Sequence, residues 1–102
     1  MGRLGVNEII KPCKEEILKV LEKNRIQSCF VFGSVARGEA DETSDVDIFL
    51  ITPFLIQKGQ LTELKTELEL LLNKKVDIVD LRALPKYILA FIRNDQIDIK
   101  NI

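Results

Sequence analysis

The sequence contains no histidine, no tryptophan and only two cysteines among its 102 residues. Without histidine, the chain cannot build a Ser-His-Asp triad, a Cys-His pair or a zinc site with imidazole ligands. Two thiols are also too few for an all-cysteine zinc site. Any acid–base or metal chemistry must therefore depend on carboxylates, and the chain has 16 Asp and Glu residues.

The sequence also lacks a surplus of either charge and any long apolar run. Its 15 Lys and Arg residues against 16 Asp and Glu residues argue against direct nucleic-acid binding, which usually needs a strong basic surplus. No segment approaches the roughly 20 apolar residues of a membrane span, and the first residues lack a signal-peptide core. We therefore expect a cytoplasmic protein with no membrane contact. Cys13 and Cys29 are expected to be reduced, although their spacing leaves a disulfide open.

Helical and strand-like patterns alternate along the chain. Apolar residues at spacings of three and four predict helices, and short β-branched or aromatic runs predict strands. The predicted helices cover residues 7–24, 59–73 and 85–93, and the predicted strands cover 26–32, 45–51, 76–80 and part of 96–102. Pro12 leaves open a start of the first regular helix near Lys11. This order predicts an α/β (α+β) protein with a small mixed sheet and helices packed on it. The length indicates one domain over residues 1–102.

Two aspartates at the start of the second predicted strand are the first candidate for chemistry. Residues i and i+2 of a strand point to the same face, so Asp45 and Asp47 project side by side, about 6–7 Å apart. Their mutual repulsion would be relieved by a divalent cation such as Mg²⁺, which takes carboxylate and phosphate oxygens as ligands. Asp77 and Asp80 on the third strand have opposite orientations, and only one of them can join this pair. We favour Asp77 because apolar residues flank it.

The polar connection between the first two strands is the second candidate. Gly33 ends a strand and allows a ligand to approach the backbone, and Ser34 follows at the start of a predicted turn. Arg37 lies one turn further, where it can meet phosphate oxygens or pair with the acidic loop over residues 39–42. A P-loop is excluded because Glu39 and Ala40 stand where that motif needs Lys and Ser or Thr.

These residues together resemble a known family. Gly33-Ser34, ten residues and then Asp45-Val46-Asp47 match the signature of nucleotidyltransferases of the DNA polymerase beta superfamily, and the form of the motif resembles the minimal nucleotidyltransferases, the MNT proteins. The resemblance covers roughly residues 10–95. In that family a later aspartate between apolar residues completes the site, and Asp77 matches it. The resemblance therefore implies the polymerase beta-like nucleotidyltransferase fold.

The resemblance also implies roles for individual residues. Asp45 and Asp47 would coordinate two Mg²⁺ ions, and Asp77 would ligate one of them and act as general base. Gly33 and Ser34 would hold the β- and γ-phosphates of ATP, with Arg37 as a supporting phosphate contact.

The family resemblance further implies an antitoxin. MNT proteins commonly pair with HEPN-domain toxins and transfer AMP from ATP to a tyrosine of the toxin. Two alternatives stay open at this point: a non-catalytic antitoxin that acts by binding alone, and a nucleotidyltransferase for a small molecule. The second alternative is less favoured because about 100 residues leave little room for an acceptor pocket. Assembly as a homodimer or as a hetero-oligomer is equally open. The apolar segments around Phe54 and Phe91 are candidate partner surfaces.

Overall fold

The computed structural model describes residues 3–52, 54–80, 85, 87 and 95–102. The α-helices are α1 (Val6–Ile9), α2 (Lys14–Lys23), α3 (Gly33–Arg37) and α4 (Lys58–Leu72), and the strands are β1 (Ser28–Phe32), β2 (Val46–Ile51), β3 (Val76–Asp80) and β4 (Ile97–Asp98). The strands predicted over 45–51 and 76–80 and the helix predicted over 59–73 agree with β2, β3 and α4 to within one residue at each end. The last predicted helix, over 85–93, lies largely outside the described residues.

The first predicted helix is interrupted at Pro12. The helical segment divides into α1, a 3₁₀ turn over Lys11–Cys13 and α2. Proline has no backbone N–H to donate, and its ring clashes with the carbonyl four residues earlier, so a continuous helix through Pro12 would be strained. The apolar face continues across the break, because Ile10 and Ile17 are both fully buried.

The four strands form one mixed sheet in the order β3-β2-β1-β4. β2 pairs with β1 in antiparallel register and with β3 in parallel register, and β4 adds a short antiparallel edge to β1. The predicted mixed sheet is therefore confirmed. The sequence could not give the direction of β2 relative to β1, because a connection of a dozen residues permits either direction.

One face of the sheet forms the hydrophobic core together with α2 and α4. Val46, Ile48 and Leu50 alternate along β2, and none of them is exposed. Leucines at helical spacing on α4 cover these side chains, as their periodicity predicted: Leu64, Leu68 and Leu72. The opposite face of β2 is therefore free to carry groups that the core could not tolerate.

The two cysteines and the predicted partner surfaces were the remaining sequence predictions. Cys13 and Cys29 are both free thiols, so the disulfide that the spacing left open does not form. Within the segment 54–56, Ile56 is buried in the core whereas the Leu55 side chain is 68% exposed. Phe91, the other predicted partner surface, lies outside the described residues. Among those residues, no helix is long and apolar enough to cross a membrane.

Candidate active site

Asp47 and Asp77 stand side by side on adjacent strands. They are direct partners in the parallel ladder between β2 and β3, so their side chains project from the same face. Asp45 lies one residue before β2 and is solvent-exposed, as is Asp77, whereas Asp47 is half-buried. The structure thus places the three predicted carboxylates at one end of the sheet. Asp80 lies on the opposite face, where its carboxylate accepts a long hydrogen bond from the backbone N–H of Ile56 (3.5 Å).

The carboxylate of Asp47 is held in an environment that disfavours its charge. Partial burial raises the pKa of Asp47 above its usual range, and the negative charges of Asp77 and Asp45 raise it further. Arg37 acts in the opposite direction and lowers the pKa of Asp47. Closely spaced carboxylates of this kind are stabilised when a cation neutralises them.

Gly33 packs tightly against this carboxylate. It follows β1 directly, and Phe32, the last residue of β1, is the cross-strand partner of Asp47. A Cβ atom at Gly33 would lie 2.5 Å from Oδ2 of Asp47, and the backbone φ of Gly33 is +73°. Both observations require glycine, because other residues disfavour this φ and no side chain fits the space. The backbone of Gly33 and the carboxylate of Asp47 are therefore in direct contact.

The predicted turn after Gly33 is confirmed as α3. This helix covers Gly33–Arg37 and ends at Gly38, whose φ of +72° gives it the left-handed conformation of a helix C-terminus. Ser34 is the second residue of α3 and half-buried, and its carbonyl accepts a hydrogen bond from the N–H of Glu39 (2.8 Å). The turn thereby fixes the backbone of Ser34, the residue that follows Gly33, next to Asp47.

Arg37 forms ion pairs with two carboxylates at the protein surface. Its Nε donates to Oε2 of Glu39 at 3.2 Å, and its Nη1 donates to Oδ2 of Asp95 at 3.3 Å. The first of these pairs agrees with the surface ion pair that the sequence left open as an alternative to a phosphate contact. Sequence reasoning missed Asp95, because no local pattern links two residues 58 positions apart.

A compact turn leads into Asp45. Oδ1 of Asp41 accepts hydrogen bonds from the N–H and the hydroxyl of Thr43 (2.8 and 2.7 Å) and from the hydroxyl of Ser44 (3.2 Å). Lys74, which follows α4, donates from Nζ to the backbone carbonyls of Asp41 and Glu42 (3.1 and 2.8 Å). The Asp-x-x-Ser pattern at 41–44 was a sequence signal for this turn. No such signal pointed to Lys74, and sequence reasoning missed it.

An open cleft of about 730 Å³ lies beside the acidic end of the sheet. Its lining combines two of the carboxylates with residues of α4 and the α4–β3 connection: Asp45, Asp77, Lys65, Glu69, Asn73, Lys74 and Lys75. A second cavity of about 430 Å³, lined in part by Leu18, Leu21 and Cys29, contains none of the predicted site residues. This cleft reaches Asp45 and Asp77, whereas Asp47, Gly33 and Ser34 do not line it.

The carboxylates suit a hard divalent cation such as Mg²⁺. Within the part of the chain that the structure describes, no three acidic or cysteine side chains converge closely enough to hold an ion by themselves. Mg²⁺, however, is usually bound by one or two carboxylates together with water and substrate phosphates. The charge-crowded Asp47 beside Asp77 offers such a partial site, so these residues fit the metal that the sequence predicted.

A mixed sheet with paired carboxylates beside a glycine turn is the arrangement of a nucleotidyltransferase. Residues 15–101 match the family model described as polymerase beta, nucleotidyltransferase, and the chain belongs to that family. The match covers most of the chain and confirms the fold and the enzyme class that the motif predicted.

Two proteins of similar sequence extend this result. A Methanocaldococcus jannaschii protein, whose name refers to protein adenylyltransferase activity, is 33% identical over 102 residues, covering 94% of this chain and 99% of its own. The protein adenylyltransferase MntA of Shewanella oneidensis is 32% identical over 83 residues, covering 81% of this chain and 55% of its own.

A solved structure agrees with the fold. The structure of a toxin–antitoxin with AMP-PNP superposes with a TM-score of 0.76 at 26% sequence identity, covering 84% of this chain and 71% of that one. Proteins similar to this chain therefore include a member of a toxin–antitoxin pair and proteins named as protein adenylyltransferases.

Proposed function

We propose that this protein transfers AMP from ATP to a hydroxyl group of a partner protein, a tyrosine of a HEPN-domain toxin, and so acts as an antitoxin. The observation that carries the proposal is the position of Asp47, which pairs with Asp77 across the β2–β3 ladder and packs against the backbone of Gly33. The names of the similar proteins, which include protein adenylyltransferases and a toxin–antitoxin pair, support the same activity. We further propose that residues 1–102 act as one domain in the cytoplasm.

In the proposed reaction, Asp45, Asp47 and Asp77 would hold two Mg²⁺ ions, which supply positive charge to the phosphates of ATP and to the leaving pyrophosphate. The acceptor oxygen forms a bond to the α-phosphorus while the bond from that phosphorus to the bridging oxygen of the β-phosphate breaks. Asp77 takes the proton of the acceptor hydroxyl. Its exposure at the open cleft suits it to meet a group that arrives from another protein.

The turn after β1 would position the nucleotide. The backbone of Gly33 and the hydroxyl of Ser34 would hold the β- and γ-phosphates, because glycine lets these oxygens approach the main chain closely. Arg37 would contribute a supporting positive charge, and its influence on Asp47 indicates that its field reaches the site. For this contact, the Arg37 guanidinium would have to leave Glu39 and Asp95 or bind a phosphate oxygen in addition to them.

The cleft beside Asp77 is open, which favours an acceptor supplied by a partner. A partner protein that brings its tyrosine to Asp77 would complete the site and exclude water from it.

The test is AMP transfer to a HEPN-domain toxin purified in complex with this protein. The purified complex is incubated with labelled ATP and Mg²⁺, and the intact mass of each chain is measured. We expect the partner to gain the mass of one or more AMP groups, and the Asp45→Asn/Asp47→Asn double variant to add none. A partner that is neutralised without gaining AMP would instead favour an antitoxin that acts by binding alone.

A further inference from the structure

Lys74 connects the two segments that carry the candidate metal ligands. It follows Asn73, whose left-handed conformation (φ +53°) ends α4 and turns the chain toward β3. From there its ammonium group donates to the carbonyl of Asp41 at 3.1 Å and to that of Glu42 at 2.8 Å. One side chain thus joins the α4–β3 connection to the turn that precedes β2.

The far end of this link is a turn with its own hydrogen bonds. The Asp41 carboxylate accepts from Thr43 and Ser44, and the N–H of Asp41 donates to the Ser44 hydroxyl at 2.9 Å. These internal bonds restrain the backbone of the turn. Asp45 follows Ser44 directly, so a displacement of the turn displaces Asp45.

The near end of the link is fixed to the sheet. The carbonyl of Lys75 accepts a hydrogen bond from the N–H of Val46 at 2.9 Å, and the N–H of Val76 donates to the Glu69 carboxylate at 3.0 Å. Both bonds are made by the peptide group that joins Lys75 to Val76, and Asp77 is the next residue. Lys74 therefore holds the Asp45 segment against a rigid part of the molecule.

We propose that Lys74 is a positioning residue that sets the distance between Asp45 and Asp77 and so prepares the site for a divalent cation. The proposal rests on the proposed function, since it assumes that these carboxylates bind metal. Asp47 is fixed by its place within β2, whereas Asp45 precedes the strand and is exposed. The Val46–Lys75 hydrogen bond anchors the peptide that follows Asp45, so the constraint that remains to be supplied is on the side of the preceding turn, which Lys74 contacts.

The experiment compares Lys74→Met with Lys65→Met in the isolated protein of residues 1–102. Both substitutions remove one positive charge from the lining of the same cleft, but only Lys74 donates to the turn before Asp45. Mn²⁺ binding is followed by water-proton relaxation, with no nucleotide or partner present. We expect Lys74→Met to weaken Mn²⁺ binding about tenfold, as is typical when a group that orients a metal ligand is lost.

Two further variants separate positioning from charge and from misfolding. Lys74→Arg keeps a donor for the two carbonyls and is expected to retain Mn²⁺ affinity close to that of the unaltered protein. Ser44→Ala weakens the same turn at an accessible position without altering any charge, and it should weaken Mn²⁺ binding in the same direction by a smaller factor. Amide hydrogen exchange at Thr43 should accelerate in Lys74→Met and stay unchanged in Lys65→Met.

Each outcome decides the matter. Unchanged Mn²⁺ binding in Lys74→Met, or an equal loss in Lys65→Met, overturns the positioning role. If Asp47→Asn abolishes Mn²⁺ binding while Lys74→Met leaves it intact, the metal site stands and only the role of Lys74 fails. If the unaltered protein shows no Mn²⁺ binding that depends on Asp47, the proposed function fails together with this inference.

Discussion

Val46, Ile48 and Leu50 occupy one face of β2 and are fully buried, whereas Asp47 lies on the other face, half-buried beside Asp77. The same six-residue strand thus belongs to the hydrophobic core on one side and to the candidate active site on the other. The alternation of a β-strand makes this division possible, because successive side chains point to opposite faces. The packing of one face of β2 in the core therefore keeps the β2 backbone rigid, and this backbone presents the Asp47 carboxylate on the other face.

The largest expected effect is the loss of activity in Asp47→Asn. This variant removes charge from the centre of the site, and we expect AMP transfer to fall on the order of 10²–10³-fold, as for other losses of electrostatic stabilisation. Stability should not decrease, because the substitution relieves the repulsion from Asp77 and Asp45. Transfer from labelled ATP and urea denaturation measure the two quantities. A large loss of stability in this variant would contradict the separation of the two faces.

The complementary change is Ile48→Ala on the opposite face. Ile48 has no exposed surface, and its truncation leaves a cavity that should lower the free energy of unfolding by about 2–5 kcal/mol. Urea denaturation followed by circular dichroism measures this loss. AMP transfer per folded molecule should remain close to that of the unaltered protein at low temperature. A specific loss of transfer in the folded fraction would show that core packing tunes the site directly.

Gly33→Ala should affect the stability of the fold and the geometry of the site at once. The left-handed φ disfavours alanine, which costs about 1–3 kcal/mol, and the new Cβ would contact the Asp47 carboxylate. We therefore expect reduced stability and reduced AMP transfer together. The matched control is Gly38→Ala, which has a similar φ but no heavy atom within 4 Å of the added Cβ. It should lose comparable stability and keep more of the activity.

The smallest expected effect is a pH dependence of stability that originates at Asp47. Folding raises the pKa of this carboxyl above its ordinary value, so the folded state binds the proton more tightly than the unfolded state. Stability should therefore decrease as the pH rises from the ordinary Asp value through the raised folded pKa, and the penalty should persist at neutral pH. Thermal unfolding between pH 3.5 and 7 measures the slope.

Two changes should remove this contribution. Asp47→Asn eliminates the titrating group, and its slope over the same pH range should be less negative than that of the unaltered protein. Mg²⁺ at neutral pH should raise the melting temperature more than NaCl of equal ionic strength, because it neutralises the crowded carboxylates. Equal responses to the two salts would count against a cation site at this position.

Sequence reasoning was most successful where a regular period carried the information. The leucine spacing of α4 and the alternation around Asp47 depend on local geometry, so β2, β3 and α4 were predicted almost to the residue. The motif also indicated which three carboxylates share one end of the sheet. The break at Pro12 was visible in part, since proline is compatible with the first turn of a helix but not with its middle.

The features that sequence reasoning missed depend on contacts between distant segments. The pairing of Arg37 with Asp95 joins residues 58 positions apart, and the bonds from Lys74 join the turn before β2 to the end of α4. The parallel direction of β3 beside β2 is equally a property of the whole chain. No local period encodes such contacts, because they arise only after the sheet has formed.

The aromatic side chains beside Asp47 have a consequence for the strength of its field. Phe49 lies two residues further along the same face, where its ring stacks on Phe30 at a centroid distance of 5.0 Å and meets Phe32 at 5.5 Å. Hydrocarbon rings polarise weakly, so they screen a neighbouring charge far less than water does. The Asp47 carboxylate thus lies beside a weakly polarisable aromatic surface, which strengthens its attraction for any cation that arrives from the solvent side.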